Sequence, residues 1–119
     1  MIFVKRRTFA VDIDGTITEN GGGRIHLDSL EALRRLTDMG HNVIYVTGRS
    51  SVEAFLLAVY GGTTKIAVGE NGGCITFDSD EHTLLGNLEE CNNAFQIIKN
   101  NIQQTHLINS FWNQINIDE

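Results

Sequence analysis

Three short apolar runs divide the first part of the chain, and each is closed by polar residues and glycine. Thr8 to Ile13 (T-F-A-V-D-I) ends in acids. Val43 to Val46 (V-I-Y-V) ends in Thr47-Gly48-Arg49, and Lys65 to Val68 (K-I-A-V) ends in Gly69-Glu70-Asn71-Gly72-Gly73. Short runs rich in β-branched and aromatic residues with glycine stops predict strands. Because they are apolar at nearly every position, they suit a parallel sheet buried on both faces. Helical spacing fills the gaps. Asp28 with Glu31 reads as a capping box, Leu30, Leu33, Leu36 and Met39 follow at helical intervals, and Gly40 supplies a stop. Ser50 with Glu53 is a second box, leading into Ala54, Phe55, Leu57 and Ala58 and stopping at Gly61-Gly62. The order β-α-β-α-β predicts parallel strands joined by crossover helices.

The pattern changes after Gly73. Cys74 to Phe77 and His82 to Leu85 flank the polar turn Asp78-Ser79-Asp80-Glu81, which predicts a β-hairpin. Asn87 with Glu90 caps a third expected helix, whose Cys91, Phe95, Ile98 and Ile102 line one apolar face and read as core. Leu107 to Trp112 reads as a further strand. The expected organisation is thus an α/β segment over residues 1–73, half of a three-layer, parallel Rossmann-like sheet, followed by a smaller α+β segment over 74–119.

Composition narrows the possibilities. Hydrophobic residues make up 41% of the 119-residue chain, a globular proportion. The net charge of −6 and a lone basic cluster, Lys5-Arg6-Arg7, argue against a nucleic-acid partner, which demands clustered cations. No apolar run approaches the roughly 20 residues of a membrane helix, and the start lacks the charge-then-apolar order of a secretory signal. Cys74 and Cys91 have neither metal nor redox spacing, and free thiols fit a reducing cytoplasm. The four histidines likewise show no ligand spacing, and the absence of proline has no physical account.

The candidate chemistry sits at the three strand ends, where parallel α/β sheets bind ligands. Asp12 and Asp14 stand two residues apart, and Gly15 breaks the strand behind them. Two such carboxylates repel unless a cation lies between them, and a hard, oxygen-ligated ion such as Mg²⁺ is the natural choice. A carboxylate can also attack phosphorus to form an aspartyl-phosphate. Thr47-Gly48-Arg49-Ser50 sets a hydroxyl and free amides at a helix start, a setting that favours phosphate. Glu70-Asn71-Gly72-Gly73 adds an amide on the same rim.

Asp12-Ile13-Asp14-Gly15-Thr16 after the first strand and Val46-Thr47-Gly48-Arg49 after the second resemble the haloacid dehalogenase-like phosphatase superfamily. With Glu70-Asn71-Gly72-Gly73 before a hairpin, the chain is similar to the subgroup with an α/β cap, among which archaeal-type phosphoglycolate phosphatases and sugar-phosphate phosphatases look nearest. The resemblance implies a Mg²⁺-dependent hydrolase of a small phosphorylated metabolite, with 74–119 as the start of the cap. Asp12 is then the nucleophile and a metal ligand. Asp14 is the acid–base residue, with its carbonyl on the metal. Thr47 and Gly48 hold the phosphoryl group, Asn71 orients the substrate, and Arg49 either reaches the substrate or pairs with a helix acid.

The family pattern also requires a lysine motif and a Gly-Asp-rich motif beyond the cap. Lys65 and Lys99 lie in no matching context, and the chain ends at Asn116-Ile117-Asp118-Glu119 within the expected cap. The resemblance therefore implies a fragment, a truncated product or half of a split enzyme, with the first strand at an exposed edge open to a partner chain or to self-association. The rival expectation is a non-catalytic module that binds Mg²⁺ or phosphate.

Overall fold

The computed structural model describes residues 5–19, 23–78 and 81–102. The five strands are β1 (Thr8–Val11), β2 (Asn42–Val46), β3 (Ile66–Gly69), β4 (Cys74–Phe77) and β5 (Glu81–Leu84). The helices are α1 (Leu27–Asp38), α2 (Ser51–Gly61) and α3 (Leu88–Asn101). The strands form one sheet in the order β1-β2-β3-β4-β5. β1, β2 and β3 are parallel, with Val11 opposite Tyr45 and Val46 opposite Val68, while β4 and β5 add antiparallel strands. The open α/β sheet expected from the apolar runs is therefore present, with β1 on an edge. The strand expected over Leu107 to Trp112 lies outside the described residues.

The chain divides into two compact units, Met1–Leu85 and Gly86–Glu119. The hairpin after Gly73, grouped by its sequence with the second segment, thus continues the sheet of the first. Its strand β4 can do so because four consecutive residues pair with β3, from Ile66 opposite Phe77 to Gly69 opposite Cys74.

Within the first unit the core lies on one face of the sheet. Tyr45 and Ala67 on the strands are fully buried with Ala54 and Ala58 of α2, joined by Ile13, Ile17 and Phe55, and Leu33 of α1 packs against this cluster. α1 and α2 also meet directly, where Arg34 Nε donates to the Gly61 carbonyl at 2.8 Å. The alternate strand positions point the other way. There Ile44, Ile66, Val68, Ile75 and Phe77 are only partly buried, and Val46 is exposed. The expectation of strands buried on both faces is met on the helix face alone among the described residues.

Local signals set two of the three helix starts. Ser50 Oγ accepts from the Glu53 amide at 3.2 Å, and α2 closes on Gly62 in the left-handed conformation. Asn87 Oδ1 accepts from the Glu90 amide at 3.2 Å and starts α3 in the second unit. Asp28 does not cap α1. That helix begins at Leu27 after His26, with no side-chain cap, and Glu31 instead pairs with Arg35 one turn on. The α3 face read as core is also open: Ile98 and Ile102 are 47% and 43% exposed. Replacing the Ser50 cap by alanine is expected to cost about 1 kcal/mol, read as a lowered urea midpoint at unchanged slope. An unshifted midpoint would remove the cap from the account of α2.

Two further features fix the start of α2 relative to the sheet. A buried chain of polar groups runs across β4: Thr76 Oγ1 donates to Ser51 Oγ at 2.7 Å, Ser51 Oγ donates to Cys74 Sγ at 3.1 Å, and Thr76 Oγ1 lies 2.9 Å from His82 Nδ1. Gly69 packs its bare Cα against the first turn, where a Cβ would stand 2.2 Å from the Ser51 nitrogen. Among the described residues no helix is long and apolar enough to cross a membrane.

Candidate active site

The site grows out of the carboxyl ends of β1, β2 and β3, which parallel pairing brings to one rim. After Asp12 the chain turns sharply around one carbonyl. The amides of Thr16, Ile17 and Thr18 all donate to the Ile13 oxygen at 3.2, 3.0 and 3.3 Å. Gly15 takes φ +74° in this turn, a value natural to glycine, and its amide donates to Thr18 Oγ1 at 3.0 Å. The turn then runs into a short bridge between Thr18 and Ile25.

The second and third tips are stitched to each other. The Thr47 amide donates to the Val68 carbonyl at 2.9 Å, the Asn71 amide to the Thr47 carbonyl at 3.1 Å, and the Glu70 amide to the Arg49 carbonyl at 2.8 Å. The Arg49 amide in turn donates to Thr47 Oγ1 at 3.1 Å, which fixes the orientation of that buried hydroxyl. Glu70 and Asn71 both adopt left-handed backbone, φ 53° and 52°, in the turn leaving β3. That turn lays the Asn71 amide over Gly48, where a Cβ would come within 2.9 Å of Asn71 Oδ1. Gly48 is thus the residue that lets the second and third tips close on each other.

The acids are handled differently. Asp12 follows directly on the β1 residue that pairs with Tyr45, so it stands beside the end of β2, and its Oδ1 accepts from the Ile13 amide at 2.8 Å. Asp14 is gripped by Arg49, whose Nε and Nη2 donate to its two carboxylate oxygens at 2.7 and 2.9 Å. The hydrogen bonds and charge of this guanidinium hold the Asp14 carboxyl below its ordinary value. Arg49 therefore supplies Asp14 with a positive charge of the kind that the sequence reading assigned to a cation. The alternative pairing of Arg49 with a helix acid is not formed. Sequence reasoning named both residues but not their pairing, and it quoted Gly69 and Glu70 at the third strand end without giving either a role of its own. A glycine ending a strand directly before a helix-start motif is a faint signal at most.

A family model for haloacid dehalogenase-like hydrolases matches residues 9–117. The chain belongs to this family. Among its relatives is a phosphoglycolate phosphatase of Nitrosopumilus maritimus, 77% identical over 100 residues, a match covering 84% of this chain and 43% of the relative. A phosphoglycolate phosphatase of Methanothermobacter thermautotrophicus is 38% identical over 93 residues, covering 78% and 41%. The crystal structure of Thermoplasma acidophilum 0175 shares the fold, with a TM-score of 0.66 at 22% identity over 80% of this chain and 41% of that one. The chain thus spans about two fifths of the length of these relatives.

The residues present also bear on a metal. Among the described residues no three His, Cys, Asp or Glu side chains gather into a site of their own. Mg²⁺ asks for less, since it commonly takes one or two carboxylates and fills its octahedron with water and phosphate oxygens. Asp12, with one carboxylate oxygen engaged by Ile13, and the backbone at Asp14 are hard oxygen donors of that kind. The donor set fits part of a Mg²⁺ site.

Proposed function

We propose that this chain carries the nucleophile and the phosphate-holding side of a Mg²⁺-dependent phosphomonoesterase that works through an aspartyl-phosphate, with 2-phosphoglycolate as its substrate. The observation that supports this most is the rim itself. Two strand tips are hydrogen-bonded together around Thr47 and Gly48, and Arg49 ties them to Asp14 on the third, which also carries Asp12, in a chain 77% identical over 100 residues to a protein named for that activity.

Asp12 attacks phosphorus as the bond to the leaving alkoxide breaks, and Asp14 gives that oxygen its proton. Asp14 then takes a proton from water, which attacks the aspartyl-phosphate and releases inorganic phosphate with Asp12 restored. Thr47 Oγ1 and the Gly48 amide hold the transferring oxygens, so catalysis is mainly positioning and charge neutralisation. Magnesium, when bound by the Asp12 carboxylate and the Asp14 carbonyl, supplies the positive charge that lets one anion approach another. Asn71 orients the substrate from the third tip. The second unit, Gly86–Glu119, forms the beginning of the cap, and the free thiols Cys74 and Cys91 fit a cytoplasmic setting.

The half-buried apolar sheet face and the β1 edge favour a second reading, in which the chain acts by pairing with another chain or with itself. Phosphate release from 2-phosphoglycolate, with and without added Mg²⁺, separates the two. Turnover that chelation abolishes is the expected result. Phosphate binding without turnover, together with an oligomer in native mass spectrometry, selects the second reading. Turnover indifferent to chelation rejects the Mg²⁺-dependent mechanism.

A further inference from the structure

The grip of Arg49 on Asp14 conflicts with the acid–base role just proposed for Asp14, and the conflict is informative. Both carboxylate oxygens are taken by the guanidinium fork. While the fork is engaged, both oxygens accept from a cation, which favours the carboxylate over the protonated acid that a leaving group needs. Something must draw Arg49 away. Its main chain cannot follow, because the amide is bonded to Thr47 Oγ1 and the carbonyl to the Glu70 amide. Its side chain can, because the pair is half exposed, and exposed ion pairs have little net strength to lose.

The position of the fork selects what draws it. With the phosphoryl group at Thr47 and Gly48, the proton transfer proposed above requires the ester oxygen to sit within hydrogen-bond reach of the Asp14 carboxylate. A substituent two covalent bonds beyond that oxygen then falls beside the Asp14 carboxylate, where the guanidinium already waits. On that side Arg49 and Gly23 border a cavity of about 360 Å³ floored by Ile13, Ile25 and Leu57, with Glu53 as the other charged residue on its wall. Nη2 lies near Gly23, where a Cβ would stand 3.7 Å away, so no side chain at that position packs on the guanidinium. The fork is matched to a planar two-oxygen anion, and it now holds one of that shape.

We propose that Arg49 is a specificity latch for a substrate carboxylate: parked on Asp14 in the free protein, it transfers to the carboxylate of the incoming phosphate ester and so frees Asp14 for proton transfer. The inference rests on the functional reading above and assigns within it the residue that recognises the carboxylate next to the ester carbon. Arg49 then discriminates by charge and geometry, and an ester without the carboxylate leaves the latch closed.

The test is an NMR titration of the whole chain with 2-phosphoglycolate and, separately, with ethyl phosphate, without added divalent cation so that neither is consumed. Both esters are expected to shift the Gly48 amide signal. Only 2-phosphoglycolate is expected to shift the Arg49 Nε–H signal, and to bind tighter by on the order of tenfold. Arg49→Gln should erase that preference, and Arg49→Lys should restore part of it. The amide spectrum elsewhere reports whether each variant is folded. A preference that survives Arg49→Gln overturns the latch, as does a variant that loses both esters equally. If neither ester moves the Gly48 signal, the phosphate site itself fails, and the latch with it.

Discussion

Asp12→Asn is expected to lower phosphate release from 2-phosphoglycolate by at least on the order of a thousandfold while leaving the fold intact. The asparagine keeps the size of the side chain and an oxygen able to accept from the Ile13 amide, the one bond Asp12 makes at 2.8 Å. It loses the charge that makes the oxygen nucleophilic and a good ligand for a hard cation. Asp12 is exposed, so no buried network depends on it, and unfolding should shift by less than about 0.5 kcal/mol. Intact mass after acid quenching gives a second readout, because a phosphoryl adduct present in the parent protein should be missing in the variant. Undiminished turnover in Asp12→Asn would reject Asp12 as the nucleophile.

Gly69→Ala should be the most destabilising small change in the first unit. A methyl group there would meet the Ser51 nitrogen at 2.2 Å, the Ser51 Cα at 2.4 Å and the Arg49 carbonyl oxygen at 2.8 Å. All three are backbone atoms, so no rotamer change relieves the contact. Gly69 is held in β3 between β2 and β4, which leaves the first turn of α2 as the part that must move. Moving it strains the Glu70-to-Arg49 bond and the Thr76–Ser51 bond together. The expected loss is about 3 kcal/mol, at the upper end for overpacking, measured as a fall in urea midpoint. Phosphate affinity of the fraction still folded should also drop, because Thr47 and Arg49 lead into that turn. A variant within about 1 kcal/mol of the parent would show that α2 can shift freely and that the rim is not fixed by this contact.

Much of the scaffold was legible because its causes are local. A serine or asparagine that caps its own helix acts through atoms three residues away, so Ser50 with Glu53 and Asn87 with Glu90 could be read directly. Asp28 with Glu31 has the same spelling and a different outcome. The helix starts two residues sooner, and Glu31 finds an opposite charge at Arg35 one turn on. The hairpin was also legible, but not its attachment. Strand periodicity says that Cys74 to Phe77 pairs with something, while only the register with β3 says that it extends the sheet of the first unit.

The order of residues by itself determined the alternating strands and helices, the acids after the first strand, the hydroxyl and glycine after the second, and through these the family. These features follow from side-chain period, turn chemistry and motif spacing, all short-range along the chain. Tertiary structure alone decided that Asp14 lies in the fork of Arg49, that Asn71 rests on Gly48, and that Gly69 must have no side chain. Each of these joins residues far apart in the chain, and they meet only because two crossover helices return parallel strands to the same rim. Contact across that distance depends on strand register and helix packing, and sequence spacing does not encode either.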